Sequence, residues 1–143
     1  SKLRTVLFVS LQKNAMHGGE DVIRQNVFVA DVTYKFTPKF SLRAELQTEG
    51  THKDMVIDFA DFKRALRNLT EELDHSFVVE EGSLMPKTLD CLREEGFTLS
   101  MMPFRTTAEN LARYFFGKLA EQGFPVSQVD VYETPNNCAI YRA

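Results

Sequence analysis

Asp58-Phe59-Ala60-Asp61-Phe62-Lys63-Arg64-Ala65-Leu66-Arg67-Asn68-Leu69-Thr70-Glu71-Glu72-Leu73 spaces Phe59, Phe62, Leu66, Leu69 and Leu73 three and four residues apart. That spacing puts an apolar stripe along one face of an α-helix. Asp58 suits the N-cap and Asp61 adds an anion to the first turn. The helix is expected to close near Leu73. Upstream of this stretch the period is two, which favours strands. Leu3, Thr5, Leu7, Val9 and Leu11 alternate with Arg4, Val6, Phe8, Ser10 and Gln12. A second strand is expected from Val27 to Phe36, with Phe28, Ala30, Val32, Tyr34 and Phe36 on one face. A third, Phe40 to Thr48, sets Leu42, Ala44 and Leu46 against Arg43, Glu45 and Gln47. His17-Gly18-Gly19, Thr37-Pro38 and the polar run around Gly50 separate these segments.

Downstream, Pro86 to Glu95 reads as a short helix with Gly96 as its C-terminal cap. Phe97 to Phe104 reads as a strand or an extended connector. Thr106-Thr107-Ala108-Glu109 resembles a capping box and opens a helix whose buried stripe is Leu111, Ala112, Phe115 and Leu119. Gly123 and Pro125 end it. Two strands close the chain, Gln128 to Glu133 and Cys138 to Arg142, with turn residues Pro135-Asn136-Asn137 between them. The coarse order β-β-(β)-α-(α)-α-β-β points to an α+β fold. Its antiparallel sheet would carry two helices on one face. The other face must be polar or covered by a partner subunit.

The chain has 143 residues, 43% hydrophobic and 26% charged, with a net charge of −3. These values suit one globular domain spanning 1–143. The mixed charge argues against nucleic acid as a partner. No apolar run reaches the length of a membrane span, and Ser1 to Ser10 lacks a secretory layout. Two cysteines, Cys91 and Cys138, make neither a CxxC pair nor a disulfide framework, so a reduced, cytoplasmic protein is expected.

Four places carry possible chemistry. In Leu73-Asp74-His75-Ser76 a carboxylate beside an imidazole could orient the ring for proton transfer. The same two residues could be no more than a solvated helix end, since neighbours on a helix do not face each other. In Val131-Tyr132-Glu133-Thr134-Pro135 the carboxylate could accept two hydrogen bonds from a cyclic amidine edge, or be a surface residue before a turn. Thr107 and Glu109 have a full explanation as a helix cap. His17, at a strand end before two glycines, suits a metal ligand, a proton carrier or an ordinary turn residue. One histidine alone makes no zinc site.

Taken together, Met55-Val56-Ile57-Asp58-Phe59 with Asp61-Phe62-Lys63, Leu73-Asp74-His75, Thr107-Ala108-Glu109-Asn110-Leu111-Ala112 and Val131-Tyr132-Glu133-Thr134 resemble the ordered motifs of the 6-pyruvoyl-tetrahydropterin synthase and 6-carboxytetrahydropterin synthase family. The resemblance covers Met55 to Tyr141. It implies the tunnelling fold: a four-stranded antiparallel sheet with two helices on one face, assembled into a barrel as a homo-oligomer, a trimer or hexamer. It further implies a carbon–oxygen lyase acting on dihydroneopterin triphosphate or a related pterin-like small molecule. Such an enzyme eliminates triphosphate and rearranges the side chain over zinc. By the same resemblance Asp74 and His75 would be the proton-relay pair. Glu133 would be the pterin anchor, Thr107 and Glu109 would line the pocket near the pterin across a subunit interface, and His17 would be a zinc ligand.

The first third departs from that pattern. The family places a cysteine and a His-Gly-His motif before its second strand. The corresponding slot here reads Arg24-Gln25-Asn26 or Phe36-Thr37-Pro38, depending on which strand is taken. The link from His17 to the next strand is also short for the family. His52 lies in a loop, and neither Cys91 nor Cys138 stands in the catalytic cysteine's place. An incomplete zinc site is therefore expected. Two further readings stand beside the synthase: a zinc-less homologue that binds a pterin or purine-like ring, and a non-catalytic oligomeric module.

Overall fold

The computed structural model describes residues 8–13, 26–35, 41–49 and 59–143, with side chains over 41–46 and 60–143. The element order is β1 (Phe8–Lys13), β2 (Asn26–Lys35), β3 (Ser41–Glu49), α1 (Phe59–Glu71), β4 (Ser76–Glu80), α2 (Pro86–Glu94), β5 (Thr98–Met102), α3 (Ala108–Glu121), β6 (Val126–Thr134) and β7 (Asn137–Arg142). Five strands form one antiparallel sheet in the order β1-β2-β3-β6-β7. The sheet therefore has five strands among the described residues, where the family resemblance implies four. The fifth follows from the residues themselves, because the alternating segments around Leu11, Val32 and Leu46 each pair as separate strands.

Alternation sorts the two faces of the central strands. Leu42, Ala44 and Leu46 of β3 are buried, and so are Val129 and Val131 of β6. Leu42 pairs with Val131 and Ala44 with Val129, so these side chains form one continuous apolar floor. Phe62, Leu66 and Leu69 of α1 and Leu111, Ala112, Phe115 and Leu119 of α3 close over it in a single core. The two helical stripes read from the sequence are thus the two faces that meet the sheet. The cap expected at Asp58 lies outside the described residues.

The helices run antiparallel to each other. Phe62, near the start of α1, meets Phe124, just past the end of α3, edge to face at 5.2 Å. At that end Gly123, with φ of +87°, supplies the left-handed residue of a Schellman close. Its N–H bonds Ala120 O and the Phe124 N–H bonds Leu119 O. The turn drops the chain straight into β6, so α3 and β6 also run antiparallel. Consequently the end of α1, the start of α3 and the end of β6 lie at the same end of the sheet.

Between α1 and α3 the chain makes a small unit of its own. β4 and β5 pair in parallel, Ser76 with Thr98 through Glu80 with Met102, and α2 is the crossover between them. Within Phe97–Phe104, Thr98–Met102 is thereby a strand, and Ser76–Glu80 is a strand that no alternation in the sequence announces. Helix α2 buries no residue fully. Two helices, not three, cover the main sheet.

Candidate active site

Helix α1 ends in a tight turn. The Thr70 carbonyl accepts from both the Leu73 and Asp74 N–H groups, at 3.1 and 2.9 Å. Thr70 is itself fully buried, and its hydroxyl donates back into the helix at Leu66 O (2.9 Å) and Arg67 O (2.8 Å). The chain then passes through His75 with φ of +55°. Among the described residues it is the one non-glycine residue in the left-handed region. Such a residue costs about 1–3 kcal/mol and persists where its surroundings over-determine it. The Asp74 side chain is 15% exposed and that of His75 is 87% exposed. Asp74 Oδ2 lies 3.8 Å from His75 Nε2, an ion pair whenever the imidazole is protonated. The turn thus brings together neighbours that a continuing helix would have kept apart.

Helix α3 begins one residue later than the capping box expects. Thr107 is the N-cap, extended at φ −88° and ψ 160°, and its hydroxyl accepts from the Asn110 N–H at 3.4 Å. Glu109 therefore sits at the second helical position and cannot serve as the box's third-position partner. Asn110 takes that place, and its side-chain amide reaches back to Arg105 O at 2.9 Å. The Glu109 carboxyl is held below its ordinary value by its own backbone N–H and by the Thr107 hydroxyl. Both residues stand at the end of the sheet where Asp74 and His75 lie.

Glu133 occupies an irregularity in the β6–β7 ladder. Tyr132 pairs with Cys138 and Thr134 with Asn137, so Glu133 is the extra residue on its strand. Bulges of this kind re-aim a side chain and cluster beside active sites. The exposed carboxylate accepts from Asn137 Nδ2 at 2.9 Å, which steadies it at the end of the sheet. A second bulge, between Glu45 and Leu46, leaves Ser127 unmatched on β6. Its hydroxyl bonds Glu45 O and Oε1 at 3.3 and 3.2 Å. Neither bulge was readable from the sequence, because alternation within one strand carries no mark of its partner's register.

The helix-free face of the sheet carries a polar network where its side chains are described. Arg43 reaches Asp130 and Glu45, each at 3.5 Å, and Asp130 is only 2% exposed. Gln128 Nε2 also donates to Asp130, and Arg142 Nε donates to Gln128 Oε1 at 2.6 Å. Next to this network Cys138 and Tyr132 are register partners. Burial, and then the Asp130 carboxylate, push the Cys138 thiol up from its ordinary value. Less of it is thiolate near neutral pH, and the thiolate is the reactive form. Cys91 is exposed on α2. Iodoacetamide at pH 7.5 is therefore expected to label Cys91 well before Cys138, read by peptide mass spectrometry. Equal rates would contradict this placement.

His17 and His52 lie outside the described residues. Among the described residues no group of three or more His, Cys, Asp or Glu converges as a metal site. No described donor set therefore fits the zinc that the resemblance implies. Among the described residues no helix is long and apolar enough to cross a membrane.

Residues 36–143 match the family model for 6-pyruvoyl tetrahydropterin synthase. The chain belongs to this family. It is 33% identical over 116 residues to a 6-carboxy-5,6,7,8-tetrahydropterin synthase of Haemophilus influenzae, covering 77% of this chain and 79% of that protein. A protein of the same name from Aquifex aeolicus is 34% identical over 102 residues, 64% of this chain and 63% of that one. Among solved structures, an uncharacterized protein from Wolinella succinogenes superposes with a TM-score of 0.57 at 20% identity, over 72% of this chain and 76% of that one. The Plasmodium falciparum 6-pyruvoyl tetrahydropterin synthase gives 0.51 at 17% identity, over 98% and 97%. These two structural likenesses concern the fold alone. The match to the family model starts at residue 36, so His17 falls outside it.

Proposed function

We propose that this member of the 6-pyruvoyl tetrahydropterin synthase family is a pterin-processing enzyme, one domain over 1–143. Its substrate would be dihydroneopterin triphosphate or a close relative, and its reaction triphosphate elimination with side-chain rearrangement. What supports this best is the topology, which sets three features toward the same end of the sheet: the left-handed His75 beside Asp74, the cap of α3 with Thr107 and Glu109, and the bulged Glu133. In this reading His75 removes a carbon-bound proton from the substrate. Asp74, on the Nε2 side, stabilises the imidazolium that forms and leaves Nδ1 to do the accepting. Glu133 takes the amidine edge of the pterin through two charge-assisted hydrogen bonds. Thr107 and Glu109 line the pocket mouth.

Incubation with dihydroneopterin triphosphate, with and without added zinc, should give a changed pterin by chromatography. Replacing Glu133 with Ala should weaken pterin binding at least about 100-fold, since two hydrogen bonds to a charged group are worth about 1.5–3 kcal/mol each. Unchanged affinity in that variant would remove Glu133 from the site.

The remaining expectations belong to the same proposal. The polar helix-free face would be enclosed by copies of the chain, as a trimer or hexamer, and the protein would be cytoplasmic. Native mass spectrometry reads the assembly directly. A second reading rests on a specific observation: Phe36-Thr37-Pro38 or Arg24-Gln25-Asn26 stands where the family has His-Gly-His. Under it the zinc site is incomplete, with His17 at most one of its ligands, and the chain binds a pterin without the family reaction. Glu133-dependent binding with no turnover in the presence of zinc would favour this second reading.

A further inference from the structure

The turn that presents His75 is tied to a strand far along the chain. Ser76, the residue after His75, places its hydroxyl 2.8 Å from the Leu73 carbonyl. Its N–H bonds the same carbonyl at 3.3 Å. Ser100, the middle residue of β5, places its hydroxyl 2.8 Å from Ser76 Oγ and 3.2 Å from the Glu72 carbonyl. Each hydroxyl has one proton to give and can accept as well. Along the two shorter contacts Ser100 donates to Ser76 and Ser76 donates to Leu73 O. Both ends of the left-handed residue are then held, through Asp74 N–H to Thr70 O on one side and through Ser76 on the other.

This arrangement explains why β4 and β5 pair as they do. Parallel strands need a crossover, here α2, and the ladder sets Ser76 opposite Thr98 with Ser100 two residues on. The unit buries little of α2 in the main core. What it delivers to the end of α1 is a hydroxyl at the turn. A left-handed histidine without such ties would relax toward an ordinary backbone conformation and carry its ring away from Asp74.

We infer that Ser100, acting through Ser76, is a positioning residue for the Asp74–His75 pair, and that the β4–α2–β5 unit is the brace that supplies it. The inference rests on the proposed role of His75. Positioning shows as a loss in kcat with KM retained, because the pterin contacts do not involve the turn. A misplacement of this order costs about 10–100-fold in rate.

The test compares Ser100→Ala, Ser100→Thr and His75→Ala with dihydroneopterin triphosphate as probe, alongside amide hydrogen exchange of Asp74 and Ser76. Ser100→Ala should lower kcat 10–100-fold at unchanged KM and speed exchange at those two amides. Ser100→Thr keeps the hydroxyl and should restore both. A Ser100→Ala variant with full kcat and unaltered exchange, in a background where His75→Ala has lost turnover, overturns the brace and leaves the role of His75 standing. Full turnover in His75→Ala overturns both. If the wild-type protein turns over no pterin, the exchange data decide: unaltered protection at Asp74 and Ser76 in Ser100→Ala rejects the brace on its own.

Discussion

Phe115→Ala should lower the unfolding free energy by about 3–5 kcal/mol, the range for truncating a large aromatic in a packed core. Phe115 is 1% exposed on the sheet side of α3. It shares the core with Leu42, Ala44, Val129 and Val131 below it and with Phe62 and Leu66 of α1. It also meets Tyr114 edge to face at 5.5 Å. Removing the ring leaves a void between two helices and a sheet. The five-stranded ladder is hydrogen-bonded across β3 and β6 and cannot easily collapse into that void. A domain of this size holds about 5–15 kcal/mol in all, so the variant loses a large part of its margin. Urea denaturation followed by circular dichroism measures the loss. Glu121→Ala, an exposed change on the same helix, is the control and should stay within about 0.5 kcal/mol. A Phe115→Ala protein as stable as the wild type would mean that this helix face does not seal the core.

What was legible in the sequence is what local periodicity encodes. Phe62, Leu66 and Leu69 at three- and four-residue spacing announce α1, and Leu42, Ala44 and Leu46 at two-residue spacing announce β3. Both patterns report the side that meets the core, and the core is where the structure puts them. Gly96 and Gly123 mark helix ends because a left-handed residue is needed there. The candidacy of Asp74, His75 and Glu133 comes from their company in a family pattern rather than from their own spacing.

What was not legible depends on partners distant in the chain. Ser76–Glu80 is five residues long and shows no clean alternation, and it is a strand because Thr98–Met102 lies beside it. The bulge at Glu133 exists only relative to β7. The cap of α3 is Thr107 rather than Thr106: the Thr107 hydroxyl accepts from the Asn110 backbone N–H, and the Asn110 side chain ties back to Arg105 O. The left-handed backbone at His75 runs against local preference for a side chain with a Cβ. Such conflicts between local preference and fold collect at functional sites.

His75→Gly should separate that strain from the chemistry. Glycine enters the left-handed region without the Cβ penalty, so the backbone at φ +55° would no longer be costly. Little packing is lost, because the histidine side chain is 87% exposed. Relief of roughly 1–2 kcal/mol is set against the extra freedom glycine has in the unfolded chain, roughly 0.5–1 kcal/mol. The variant should thus be as stable as the wild type or firmer by up to about 1.5 kcal/mol. Turnover of dihydroneopterin triphosphate should nonetheless fall by about 10²–10⁴, the usual contribution of a positioned general base. His75→Ala loses the same base but keeps a Cβ at the same φ, so it should match the glycine variant in turnover and fall below it in melting temperature. A more stable protein with its chemistry removed is the pattern of a residue held in place for function at the expense of the fold. A glycine variant that melts lower than the alanine one would show that the left-handed turn is not costly to this chain. One that turns over pterin at the wild-type rate would take His75 out of the reaction.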